Sequence, residues 1–122
     1  MIASPLVLAL DLGSSGIRAA CVDDTGRAVA SATESIPMCL LADGTAEEDP
    51  EAIWSALGRS IASALAKAPG AGARVEAILC GSQYSSLVPV DVAGRPLGPL
   101  VLYLDTRAAA LSRGLTQRHP EL

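Results

Sequence analysis

Eight residues near the amino terminus, Asp11-Leu12-Gly13-Ser14-Ser15-Gly16-Ile17-Arg18, hold the groups best suited to chemistry. A carboxylate at the end of an apolar run, followed by a tight Gly/Ser turn, aims several backbone N–H groups at one point. Such a nest, with two hydroxyls added, suits phosphate oxygens. It is not a P-loop, because no Gly-Lys-Ser/Thr follows and the turn leads back into a strand. Asp11 adds a condition. Two like charges about 4 Å apart repel by about 4 kcal/mol at an effective dielectric of about 20. A carboxylate beside a phosphate therefore needs a cation between them, and Mg²⁺ with its retained waters meets that need. Arg18 adds positive charge from the adjoining strand. A plain hairpin turn uses the same residue types, so the octet alone leaves that reading open.

The surrounding sequence predicts the elements that hold this turn. Leu6 to Leu10 is a continuous apolar run, expected as a strand buried on both faces. A second strand is expected over Ile17 to Val22 and a third over Ala28 to about Ile36. The Asp23-Asp24-Thr25-Gly26-Arg27 loop joins them, its glycine suited to positive φ. Pro37 to Glu48 reads as a loop. Asp49, Pro50 and Glu51 then form a helix start, and Ile53, Leu57, Ile61 and Leu65 continue it as one apolar stripe. Trp54 beside that stripe is expected to pack. The helix should stop before Pro69-Gly70-Ala71-Gly72. Val75 to Cys80 then makes a fourth strand, parallel to the first because a helix intervenes. Leu87 to Val90 and Leu97 to Tyr103 flank the loop Asp91 to Arg95 as a second hairpin, and Thr106 to about Gln117 suits a helix. No linker is apparent, so residues 1–122 read as one domain.

Composition narrows the class. Half the residues are apolar and the net charge is -4, which fits a globular body and argues against a nucleic-acid surface. Aromatics make up only 2%, so the core must come from aliphatic residues. Cys21, Cys39 and Cys80 lack metal-type spacing and are expected as small buried hydrophobes in a reducing cytoplasm. The apolar start lacks a basic leader and is interrupted by Asp11, so neither a signal peptide nor a membrane span is expected.

Five segments in order resemble the FGGY family of carbohydrate kinases. They are Leu10 to Arg18, Glu48-Asp49-Pro50-Glu51-Ala52-Ile53-Trp54, Gly81-Ser82-Gln83, Asp91-Val92-Ala93-Gly94-Arg95-Pro96-Leu97, and Tyr103-Leu104-Asp105-Thr106-Arg107. The resemblance, closest to xylulokinase- and gluconokinase-like members, implies an α/β, actin-like, ribonuclease H-like nucleotide-binding fold with a mixed sheet. It implies ATP and Mg²⁺ as cofactors. Asp11 would help hold the metal, Gly13, Ser14 and Ser15 would line the phosphates, and Arg18 would support them. On the sugar side it implies Gln83, Tyr84, Ser85, Tyr103, Asp105 and Arg107. The chain departs from the common pattern at Tyr84-Ser85, where Met-His is frequent, and at Tyr103, where Trp is usual. Plainer roles stay open: backbone satisfaction for Gln83, an ion pair or helix cap for Asp105 and Arg107, packing for Tyr103. His119, in a polar tail, is not expected to be catalytic.

Members of this family phosphorylate a sugar or polyol hydroxyl with ATP, an aspartate removing the proton. That base, the second phosphate motif and the adenosine pocket have no counterpart before Leu122. The expectation is a first, incomplete part of the kinase's first domain, inactive alone, whose missing partner is the carboxy-terminal kinase region. An alternative is a stand-alone module that binds nucleotide or a partner through its open sheet, with a homodimer as one form of that pairing. A third keeps the fold but assigns an actin-like or chaperone ATPase, against which Tyr103 to Arg107 speaks.

Overall fold

A computed structural model describes residues 4–121. Strands β1 (Leu6–Gly13), β2 (Gly16–Val22) and β3 (Ala28–Ser35) form an antiparallel meander. Helix α1 (Pro50–Ala66) crosses back so that β6 (Val75–Ser82) pairs parallel to β1, giving the order β3-β2-β1-β6. Strands β4 (Met38–Leu40), β5 (Ala46–Glu48) and β7 (Leu100–Val101) make a second, small antiparallel sheet, and α2 (Ala109–Arg118) follows.

The local chemistry of these elements is direct. The Asp49 carboxylate accepts from the Glu51 N–H at 3.0 Å, capping α1, and Pro50 loses no hydrogen bond at the first position. The Asp23 and Asp91 loops share one build. In each, the carboxylate accepts two backbone N–H groups and Gly26 or Gly94 takes positive φ. Gly16 is required by packing. A Cβ there would lie 2.7 Å from the Glu34 carbonyl oxygen on β3.

The core lies between α1 and one face of the sheet. Leu6, Leu8, Ala19, Cys21 and Ala32 pack with Ala64 and Ala71, and Ile17 and Ile36 pack with Ala56. Ala56, Ser60 and Ala64 let the helix sit close, while Ile53, Leu57, Ile61 and Leu65 fill the flanks. Burying Leu6 or Ile17 contributes about 1.5–3 kcal/mol each.

Several expectations need correction. β1 is buried on one face only: Leu6 and Leu8 lie under α1, whereas Val7 is 36% exposed on the opposite face. β6 is exposed along nearly all its length, with Ile78 and Leu79 open. An apolar run cannot report whether a second layer covers it. Trp54 is 71% exposed, because it points away from the stripe that meets the sheet. Of the cysteines, Cys21 is buried, but Cys39 and Cys80 are exposed on short or uncovered strands. The stretch 37–48 is no simple loop, since it folds into the β4–β5 hairpin. The expected second hairpin is reduced to two bridges, Leu87 with Val101 and Val90 with Pro96, while β7 also pairs with β5.

Candidate functional site

The carboxyl ends of the parallel pair β1 and β6 lie side by side, the place where open α/β sheets bind ligands. β1 delivers Asp11 and the Gly13-Ser14-Ser15-Gly16 turn there, and β6 delivers Gln83. The Gln83 N–H donates to the Leu12 carbonyl oxygen at 2.9 Å, so the two predicted segments are joined by their main chains.

Around the residues expected at the phosphates, one row crosses the sheet. Asp11 is opposite Arg18, Arg18 is opposite Thr33, and Asp11 is beside Gly81. Alternation places this row on the face away from α1, and both Asp11 and Arg18 are exposed. Arg18 Nε donates to Thr33 Oγ1 at 3.4 Å. Among the described residues, Asp11 has no ion-pair or side-chain hydrogen-bond partner. No residue of the 13–16 turn has positive φ, so the alternating right- and left-handed backbone of a nest is not formed there. The turn is a tight hairpin with half-buried Ser14 and exposed Ser15.

Among the described residues no three His, Cys, Asp or Glu side chains converge. An exposed single carboxylate does not suit Zn²⁺ or a Ca²⁺ cage. It does suit Mg²⁺, which keeps several waters and takes one or two carboxylates plus phosphate oxygens. Asp11 fits that role.

Around the residues expected on the sugar side, β5 supplies contacts from each of its three residues. The Ala46 N–H donates to Asp105 Oδ2 at 3.0 Å. Glu47 Oε1 accepts from Arg107 Nη2, which also bonds Asp105. Glu48 Oε2 accepts from Gln83 Nε2 at 3.0 Å, and Gln83 Oε1 accepts from Ser86 Oγ at 3.0 Å. Three consecutive residues of one short strand thus anchor three of the predicted positions. Arg107 holds the Asp105 carboxyl at about 2, well below its usual range, with the Ala46 N–H contributing next. Hydrogen bonds to Asp105 and then Glu47 push Arg107 upward in turn. Asp105 and Arg107 are therefore already engaged with each other, as the plainer expectation had it.

Tyr84 and Tyr103 stand apart from this network, 87% and 58% exposed, with faces free for a ring or a carbon skeleton. Ser85 takes φ 55°, a left-handed value unusual for serine. A groove of about 670 Å³ between Met38, Asp49 and Pro96-Leu97 is lined also by Glu47 and Glu48, but by none of the predicted site residues.

Sequence reasoning missed Glu48 as a site residue. It is only 2% exposed, and among the described residues its Oε1 has no hydrogen-bond partner. An unpaired buried acceptor costs about 1–3 kcal/mol, which argues against a mere filler. The Asp43-Gly44 pair was the available signal for β4–β5, and through it for Glu48.

This mixed sheet with one covering helix is part of an actin-like ATPase fold. The model of the FGGY family of carbohydrate kinases, N-terminal domain, matches residues 6–121, and the chain belongs to that family. It is 34% identical over 113 residues to a glycerol kinase of Gloeobacter violaceus, covering 92% of this chain and 22% of that one. It is 35% identical over 112 residues to a xylulose kinase of Streptomyces coelicolor, covering 91% and 22%. The gluconate kinase structure from Lactobacillus acidophilus superposes with a TM-score of 0.85 at 26% identity, over 95% of this chain and 23% of that one. The chain thus spans about a fifth of the length of these relatives.

Proposed function

We propose that this chain supplies the phosphate-binding strand pair and part of the sugar pocket of an ATP-dependent carbohydrate kinase. One observation carries the reading: the Gln83 N–H bond to the Leu12 carbonyl oxygen sets the sugar-side segment beside the phosphate-side turn. A phosphoryl donor and an acceptor hydroxyl held on those two segments would meet without a long reach, which is most of what such a transfer needs.

In this reading Asp11 holds Mg²⁺, Gly13, Ser14 and Ser15 donate to the phosphates, and Arg18 adds positive charge behind them. The ion, when bound, neutralises charge that builds on the phosphates. Gln83, Tyr84, Ser85 and Tyr103 contact the sugar, while Asp105 and Arg107 shape its wall from the β5 triad. Glycerol, xylulose and gluconate are the acceptors named for relatives. A ketopentose or sugar acid is favoured here, in a cytoplasmic enzyme.

The base that takes the hydroxyl proton is assigned outside these residues. Asp105, a carboxylate of the expected sugar side, is held at about 2 and is too weak a base near neutral pH. The test is sugar-dependent ATP turnover. The gene product that carries the carboxy-terminal kinase region should show it, and the purified 122-residue chain should not. Turnover by the short chain would refute that division.

A second reading has its own support. β6 is an edge strand with Ile78 66% and Leu79 65% exposed, a surface suited to a module that binds a partner or a second copy. Sedimentation of the 122-residue chain separates the two: a clean monomer without affinity for Mg-ATP counts against it.

A further inference from the structure

Gln83 is where the phosphate turn, β6 and the small sheet meet, and the direction of its side-chain amide matters. An amide presents a donor on one end and an acceptor on the other, and a half-turn exchanges them. Glu48 offers it two carboxylate oxygens. Oε2 accepts from Gln83 Nε2 at 3.0 Å, and Oε1 is buried with no partner among the described residues. If the amide nitrogen shifts, either oxygen of Glu48 takes it, whereas a carboxylate gives the amide oxygen nothing to accept. Ser86 Oγ completes the clamp, donating to Gln83 Oε1 at 3.0 Å. Gln83 keeps one N–H and one lone pair unspent, and it is only half-buried.

We propose that Glu48 is a positioning residue for sugar specificity, locking the Gln83 amide in one orientation so that its remaining N–H faces the substrate hydroxyl. The inference rests on the proposed sugar-side role of Gln83. It explains why a carboxylate with an unpartnered oxygen occupies the last position of β5, fully enclosed, where an apolar side chain would satisfy packing. It also makes Glu48 differ from Glu47, one residue earlier, whose carboxylate is spent on Arg107. A glutamine at position 48 would fit the same space. Its amide could pair with Gln83 in either direction, and the orientation would be lost.

The test uses the gene product that carries this chain, with D-xylulose, D-gluconate and glycerol as probes. Sugar dissociation constants, the KM for Mg-ATP and thermal midpoints are measured for wild type, Q83A, S86A, E48Q and the exchange variant E48Q/Q83E. Wild type should bind at least one probe, and Q83A should weaken it. E48Q should weaken the same sugar roughly tenfold, the effect of one misdirected hydrogen bond, with the KM for Mg-ATP changed less than about twofold. S86A, which leaves Glu48 untouched, should weaken it severalfold. The exchange variant restores a carboxylate–amide pair, so its thermal midpoint should return toward wild type. Its sugar affinity should stay as weak as that of Q83A, because a carboxylate at position 83 donates nothing. Unchanged sugar affinity in E48Q beside a weakened Q83A would overturn the inference, as would full recovery of affinity in the exchange variant. No effect of Q83A, or no binding of any probe by wild type, would instead remove the sugar-side reading and this inference with it.

Discussion

Asp11 and Arg18 stand directly opposite each other on β1 and β2, on the sheet face that α1 leaves open, yet they form no ion pair. Cross-strand partners have Cβ atoms about 4.5–5.5 Å apart, so the two charges are close enough to act on one ligand. Arg18 leans toward Thr33, and Asp11 is left as an uncommitted carboxylate beside a hydroxyl-bearing turn. Asp11→Asn keeps the shape but removes the charge. In the complete gene product it should lower kcat by about 100-fold or more, as expected for lost metal-assisted charge stabilisation, with little change in sugar affinity. Steady-state kinetics over a Mg²⁺ series would check this, and near-normal kcat would argue against Asp11 as the metal ligand.

Gly16→Ala tests the packing that fixes the turn. The new Cβ would sit 2.7 Å from the Glu34 carbonyl oxygen, and that contact is backbone, so β2 and β3 must separate. A loss of about 1–3 kcal/mol is expected in urea unfolding, as for other overpacked sites. Gly44→Ala should cost at least as much, since Gly44 has φ 94° and its Cβ would strike Thr106 Oγ1. Stability equal to wild type in both would mean that the close approaches are not as described.

The Asp105–Arg107–Glu47 triad gives a pH prediction. Asp105 is held at about 2 against an ordinary value of 3.8, so its contribution is present above the ordinary value and fades as pH falls from about 4 toward 2. Arg107→Ala should flatten the fall of the thermal midpoint across that window, because the main cause of the depression is gone. Parallel profiles for the two proteins would contradict it.

Thiol labelling distinguishes the buried cysteine from the two exposed ones. In the native 122-residue chain, maleimide should modify Cys39 and Cys80 and spare Cys21, which lies in the core under α1. Intact mass would show two adducts before denaturation and three after. Rapid labelling of Cys21 would place it outside the core.

Much of the fold was legible because its signals are local. Asp49-Pro50-Glu51 marks the start of α1, Gly26 and Gly94 mark turns, and the helix between the first and last long strands requires a parallel pair. β4, β5 and β7, three residues or fewer, are too short for periodicity; only Asp43-Gly44 signalled the local β4–β5 hairpin, and β7 pairs with β5 from far along the chain. That gap hid half of the site. The pairing of Asp105 with Arg107 was within reach of their spacing, but their hold on Ala46 and Glu47 was not. Glu48 was visible only as part of a helix-start segment, and its bond to Gln83 spans 35 positions. Burial failed for a different reason. Leu6 to Leu10 and Val75 to Cys80 are apolar enough for two covered faces, whereas in the described residues α1 covers one.

The most direct test of the central claim is transfer of labelled γ-phosphate from ATP to D-xylulose, D-gluconate or glycerol by the complete gene product, with Asp11→Asn alongside. A sugar phosphate formed by wild type and lost in the variant is the predicted result. No phosphorylated product from any of the three, or undiminished transfer in the variant, would contradict the account.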